Sequence, residues 1–267
     1  MTGNAFELLF LSLVGAGASA VGAVCGLGGG IIIKPILDSL RLFPVDTATF
    51  LSGCTVLAMS VASVAQSFRK GSVRLDLPAA TALAVGAVAG GAGGQALFQF
   101  LLRRLPHPQY VGAAQSAALL LTTLAAFLYT LREERVRKRR LVHVSARLLC
   151  GFLLGVVAAF VGIGGGPVNI LVLSYFFSME TKAAAANSLY IVMFSQAASL
   201  SHLVLGDALP AFLPLQAIAM AGGGVLGAII GAAVSRRISS SAVRGLFLAL
   251  MVAIICLSCR NLYAFLS

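Results

Sequence analysis

Ten apolar segments joined by short polar connections occupy almost the whole chain, at roughly 5–25, 30–43, 47–68, 77–102, 109–131, 146–161, 166–178, 183–205, 209–235 and 241–264. A helix rises about 1.5 Å per residue, so most of these segments can cross a hydrocarbon core of about 30 Å. Hydrocarbon supplies no partner for a bare peptide group, and unbroken apolar runs of this length satisfy their own backbone as helices. Hydrophobic residues make up 59% of the chain and charged residues 10%, against about 25% charged in soluble domains. The expectation is an all-α polytopic membrane protein with no soluble domain.

Two places break the pattern. Gly26-Leu27-Gly28-Gly29-Gly30 and Gly162-Ile163-Gly164-Gly165-Gly166 each put four glycines into five positions, after an apolar run and before a short one. Glycine is the least favourable helix residue after proline, so each cluster ends the hydrogen-bond ladder. Freed backbone groups at membrane depth survive where protein or a wet cavity satisfies them. A matched pair of such breaks points to a transporter's substrate site. N–H groups at the start of each following short helix, reinforced by its dipole, favour an anion. A phosphate loop is excluded, because no strand precedes the glycines and no Lys-Ser/Thr follows them.

The two halves repeat. The clusters stand 136 residues apart; stacked G-x-x-x-G steps follow at Gly86, Gly90, Gly94 and at Gly223, Gly227, Gly231, and paired arginines at Arg103-Arg104 and Arg236-Arg237. Repeats over 1–131 and 146–267, joined by a basic linker at 132–145, are the organisation expected. Each repeat has a glycine-broken first helix plus three further transmembrane helices. Let the N-terminus be external and each broken region return to the side it entered from. Fourteen Lys and Arg then fall inside: Arg69, Lys70, Arg74, Arg147, Lys182, Arg236, Arg237, Arg244 and the six from Arg132 to Arg140. Three fall outside (Arg41, Arg103, Arg104), whereas single crossings give at best ten against seven. The positive-inside rule favours inverted repeats, a cytoplasmic linker against an anionic leaflet, and both termini outside. The net charge of +11 is read as membrane orientation, with no nucleic-acid partner.

Candidate anion-binding residues are Gly26, Gly28, Gly29, Gly30, Gly162, Gly164, Gly165 and Gly166, with Cys25 close to the first turn. Asn169, Asn187, Gln196 and Gln66 add side-chain donors, since an amide inside a membrane needs a partner. Lys34 either adds positive potential beside the first short helix or pairs with Asp38 at i+4. Most hydroxyls around Ser52, Thr55, Ser60, Ser188 and Ser195 are expected to bond back to their own helices. The G-x-x-x-G steps read as packing devices.

Other chemistry finds little footing. Cys256 and Cys259 form a lone C-x-x-C without a nearby histidine, so no metal site is expected. No cofactor and no Ser-His-Asp set is indicated, and the chain does not read as an enzyme. The eight carboxylates fall at helix ends or in loops, so a mid-membrane relay of paired carboxylates is missing. The first thirty residues lack a basic start and are read as a membrane helix rather than a cleaved leader.

Through Gly26-Leu27-Gly28-Gly29-Gly30-Ile31-Ile32-Ile33-Lys34-Pro35 and Gly162-Ile163-Gly164-Gly165-Gly166-Pro167, in a doubled unit around a basic linker, the chain resembles the sulfite exporter TauE/SafE family, also called the toluene-sulfonate uptake permease family. The resemblance implies transport of sulfite, sulfonates or sulfoacetate across the inner membrane. It agrees with the anion reading but supplies the substrate class by itself. The first repeat has Pro35 after its glycines, as the resemblance implies; the second has Pro167 immediately after its cluster instead, a departure from the family pattern. The reading is a secondary transporter with alternating access; a passive anion channel and a non-transporting scaffold or assembly protein are the alternatives. A homodimer is compatible with the sequence.

Overall fold

The computed structural model describes residues 4–70, 76–133, 141 and 143–266. Arg74, Arg135, Arg137, Lys138, Arg139 and Arg140, which entered the charge count, lie outside the described residues, as does most of the linker. The helices follow in the order α1 Ala5–Cys25, α2 Gly30–Leu40, α3 Val45–Lys70, α4 Leu77–Arg104, α5 Pro108–Arg132, α6 Val144–Val161, α7 Pro167–Phe177, α8 Thr181–Leu205, α9 Pro214–Arg237 and α10 Ser240–Leu266. Among the described residues there is no strand. Eight helices are long and apolar enough to cross a membrane; α2 and α7, of 11 residues each, are not. Apolar side chains fill the interior and also cover the outer surface, and polar side chains are buried among them. Phe6, Leu13, Leu121, Leu149, Ile218 and Leu266 face outward, while Ser52, Thr55, Asn169, Asn187, Ser188 and Gln196 are buried. That distribution suits lipid as the outer solvent.

Hydrogen bonds between distant segments define two ends. At one, Gln216 donates to Glu7 at 2.7 Å, Thr47 to the Ala211 carbonyl at 3.1 Å, and Arg41 to the Ala264 carbonyl at 2.8 Å. This end gathers the starts of α1, α3 and α9 with the finishes of α2 and α10. At the other, Lys182 donates to the Ile238 carbonyl at 2.6 Å, Arg244 to that of Thr130 at 2.8 Å, and the Leu141 N–H to that of Phe176 at 2.9 Å. Here α8 and α10 start, α5, α7 and α9 finish, and α6 begins close by. The α1–α2 hairpin thus starts and ends at the first end. The α6–α7 hairpin starts and ends at the second.

The small-residue steps make the tightest crossings. A side chain on Gly223, Gly227 or Gly231 would strike the carbonyls of Ser12, Ala16 or Ala20, so α9 lies parallel against α1. One on Gly86, Gly90 or Gly94 would strike those of Leu148, Phe152 or Val156, so α4 lies parallel against α6. Each half therefore packs its fourth helix on the other half's first. Without hydrophobic drive between helices in lipid, such backbone-to-backbone approach is what holds a bundle together.

Both glycine turns begin alike. Gly26 and Gly162 each cap the preceding helix in the left-handed conformation, at φ 72°. Their N–H groups return to the Gly22 and Ala158 carbonyls, which only a residue without Cβ allows cheaply. The turns then diverge: Gly29 is helical at φ −61°, whereas Gly165 stands at φ 138° and Gly166 is extended at φ −164°. Pro167 is the cause. A proline disfavours helical backbone in the residue before it, so Gly166 stays extended and α7 starts at the proline itself. In the first half Gly30 is followed by Ile31 and is already helical.

Candidate functional site

The two glycine turns meet inside the bundle. A Cβ on Gly30 would stand 2.6 Å from the Ile163 carbonyl oxygen, and one on Gly28 3.6 Å from the same atom. A Cβ on Gly166 would lie 3.8 Å from Ile31 Cδ1. Val56 of α3 and Val192 of α8 wedge the turns from either side, Val56 against Gly28, Gly30 and Gly164, and Val192 against Gly28 and Gly165. The turns are also held crosswise: Gly26 rests on Ala185 of α8, and Gly162 on Thr49 of α3. Leu27, Ile31, Ile163 and Ile170 share one apolar core across the halves.

Tight packing leaves the backbone donors unpaired. Among the described residues, the N–H groups of Gly28, Gly30, Ile31, Gly164, Gly165, Gly166 and Val168 meet no protein acceptor. The Gly29 N–H points at the Met59 sulfur, 2.8 Å away, a weak acceptor. Helix starts always leave such groups over; here two sets lie side by side, away from water. Buried side chains add to them. Gln196 Nε2 has no partner and lies 2.8 Å from where a Cβ of Gly164 would stand. Ser19 Oγ, also without a partner, lies 2.7 Å from the corresponding point on Gly29. Asn169 donates to Ser188 Oγ at 3.3 Å while touching the Gly165 position at 3.0 Å. A small pocket beside the second turn is lined by Gly165, Gly166, Val168 and Asn169 with Thr122 of α5 and the apolar Leu154, Val157, Ala158 and Ile163.

The remaining candidates fall elsewhere. Cys25 is fully buried in the apolar core beside Leu27. Lys34 pairs with Asp38 at 2.9 Å, with both side chains buried. Asn187 uses both ends of its amide away from the turns, donating to the Ala183 carbonyl at 2.8 Å and accepting from the Asp76 N–H at 3.1 Å. Gln66 lines a cleft with Ser63, Lys182, Ser235 and Arg236, and its Nε2 has no partner. Thr55 and Ser60 bond back to the Leu51 and Leu57 carbonyls, at 2.8 and 2.9 Å. Sequence reasoning missed Ser19, Val56 and Val192. The two valines repeat at the 136-residue spacing of the glycine clusters, a signal that could have found them; Ser19 has Gly155 at that spacing and carried none.

A family model described as "Sulfite exporter TauE/SafE" matches residues 11–257. The chain belongs to the TauE/SafE family. It is thus a multi-pass membrane transporter of that family, and the resemblance carried by the glycine motifs holds. Among its relatives, the Bacillus subtilis "Probable membrane transporter protein YunE" is 23% identical over 275 residues, 96% of this chain and 98% of that one. A Sinorhizobium fredii "Probable membrane transporter protein y4hK" is 36% identical over 102 residues, 38% and 40% of the two chains. The Arabidopsis thaliana "Sulfite exporter TauE/SafE family protein 3" is 34% identical over 73 residues, covering 27% of this chain and 15% of that protein. No solved structure matches the chain.

Proposed function

We propose that the chain is a secondary transporter of small sulfur-containing anions, sulfite or an organosulfonate or sulfoacetate-like compound, across the inner membrane. The juxtaposed turns carry the reading: seven N–H groups without a protein acceptor, plus the unpartnered Gln196 Nε2, lie on two buried turns that touch, a donor-rich setting that suits a negative ligand. Gly165, Gly166 and Asn169, beside a small pocket at the second turn, are the place we assign to the anion. With Lys34 paired to Asp38, backbone dipoles and amides bind it rather than a full positive charge. The α1–α2 and α6–α7 hairpins, entering from opposite ends, support inverted repeats that alternate access by one unit rocking on the other across the G-x-x-x-G contacts. Arg69, Arg132, Arg147, Lys182, Arg236, Arg237 and Arg244 belong to helix termini at one end, against Arg41, Arg103, Arg104 and Arg260 at the other, which supports a cytoplasmic assignment for the first set and external termini.

Counterflow of labelled sulfite in proteoliposomes tests this. A carrier shows saturable exchange accelerated by unlabelled sulfite inside. Linear flux without acceleration describes a channel, and no flux for sulfite, thiosulfate or small sulfonates removes the transport reading.

A further inference from the structure

Two basic clefts lie outside the glycine turns, one at each end of the bundle. The first sits between the finish of α3, the start of α8 and the finish of α9, and Ser63, Gln66, Lys182, Ser235 and Arg236 line it. No carboxylate lines it, and neither cation has a carboxylate partner among the described residues. Lys182 donates to the Ile238 carbonyl at 2.6 Å, which leaves two more donors on its ammonium. Asp76, which approaches α8 through the Asn187 amide, turns its carboxylate to the Ala79 N–H at 3.3 Å. Ser63 is 4% exposed, and its Oγ and the Gln66 Nε2 are buried without a partner. Buried donors left unpaired are costly, so a polar occupant complements this lining. The cleft has room for a few water-sized groups, the scale of a small oxyanion. Its lining also reaches the first glycine turn: Ala23 of α1 and Ala185 of α8 belong to it, and Gly26 packs directly on Ala185.

The internal repeat supplies a counterpart at the other end. There Gln99, Arg103 and Arg104 of α4 and His202 of α8 line the second cleft. His202 follows Gln66 by the 136 residues that separate the glycine clusters, and Arg103-Arg104 answer Arg236-Arg237. Along α8, Ser199 and then Gln196 step inward from His202 at three-residue intervals, as Ser63 does from Gln66 along α3. Ser199 donates to Gln95 Oε1 at 3.0 Å, and the Gln95 Nε2 is again buried without a partner. Basic clefts duplicated at opposite ends, each backed by buried polar groups, suit a ligand that passes through the protein. A lipid headgroup carries the same anionic chemistry but calls for no such buried donors leading inward.

We propose that the cleft of Lys182 and Arg236 is an entry site that holds the transported anion before Gly26 parts from Ala185. The inference rests on the anion-transport reading above. Arg236 offers paired, planar donors to two oxygens of a sulfite or sulfonate group, and Lys182 adds a compact charge. Gln66 and Ser63 supply the buried donors on the side of the glycine turn. Full charges at the mouth raise the local anion concentration, while the turns themselves bind through backbone dipoles.

Ser235→Cys, a near-isosteric change in the cleft wall of the otherwise unaltered chain, reports occupancy. Alkylation of the introduced thiol by iodoacetamide, located by peptide mass spectrometry, is timed in phosphatidylcholine nanodiscs against rising methanesulfonate. Chloride at equal ionic strength is the control, and methanesulfonate is used because sulfite consumes alkylating reagents. An occupied site gives saturable protection specific to methanesulfonate, weakened about tenfold or more by adding Lys182→Gln and Arg236→Gln. Without the reporter thiol, that double variant should need more sulfite to half-saturate counterflow, by a similar factor. No protection, equal slowing by chloride, protection that survives loss of both cations, or unchanged half-saturation overturns the proposal. So does a thiol already shielded in nanodiscs containing phosphatidylglycerol and indifferent to methanesulfonate, which identifies a lipid headgroup as the occupant. If the double variant does not fold, Gln66→Leu keeps both charges and should still weaken protection; unchanged protection there overturns the proposal equally. Absence of sulfite counterflow in the wild type, with methanesulfonate protection intact, would instead overturn the underlying anion-transport reading and leave a binding cleft.

Discussion

At Gly30 a single methyl group would face the Ile163 carbonyl oxygen at 2.6 Å, with the two turns having no slack to separate. Gly30→Ala should destabilise the protein by about 1–3 kcal/mol through overpacking and depress sulfite flux more than its fall in melting temperature alone explains. Gln196 makes the opposite case. Its Nε2 is buried without a partner, so Gln196→Leu should leave thermal stability unchanged or raised. Apparent sulfite affinity should fall about tenfold, as loss of one donor to an anion predicts. A parallel loss of stability and affinity would assign Gln196 to packing instead. The glycines and the amides of Asn169 and Gln196 were legible as candidates because each is out of place in an apolar run. The pairing of Lys34 with Asp38 was open, since i+4 spacing permits the bridge without requiring it. Asn187 and Gln66 drew notice for the same reason as Gln196, yet the fold places one at the start of α4 and the other in a cleft near the basic end.

Among elements, α1 with α9 and α4 with α6 hold the frame, and their contacts separate neighbouring glycines. A side chain on Gly223 would strike the Ser12 carbonyl, whereas one on Gly222 meets nothing within 4 Å. Gly223→Ala should lower the melting temperature clearly, while Gly222→Ala should raise it slightly by improving helix propensity. Equal effects at both positions would refute the crossing. The element boundaries were readable from the apolar runs because lipid demands a fixed length of helix. The crosswise partners were not, because G-x-x-x-G records that a face is flat and says nothing about which helix lies on it. The difference between the two turns traces to Pro167 alone, which holds Gly166 extended and shifts the start of α7 by one residue.

For the whole molecule, hydrogen bonding defines two ends, with Arg69, Arg132, Arg147, Lys182, Arg236, Arg237 and Arg244 toward one and Arg41, Arg103 and Arg104 toward the other. In a cysteine-free background, a cysteine at Ser239 should resist a membrane-impermeant maleimide in intact cells, and one at Pro106 should react. The reverse pattern would invert the orientation. The meeting of the clusters follows from two hairpins of opposite sense, something the charge count suggested but only the packing of Gly28 and Gly30 on Ile163 displays. The central claim is that backbone N–H groups at these turns bind the anion, and the most direct measurement removes one such group without adding a side chain. Replacing Gly166 by glycolic acid converts its N–H into an ester oxygen. That N–H has no protein acceptor, so the ligand-free melting temperature should stay unchanged. Sulfite affinity should fall by about tenfold or more, the worth of a hydrogen bond to a charged group. Unaltered sulfite affinity in the ester protein would contradict the account.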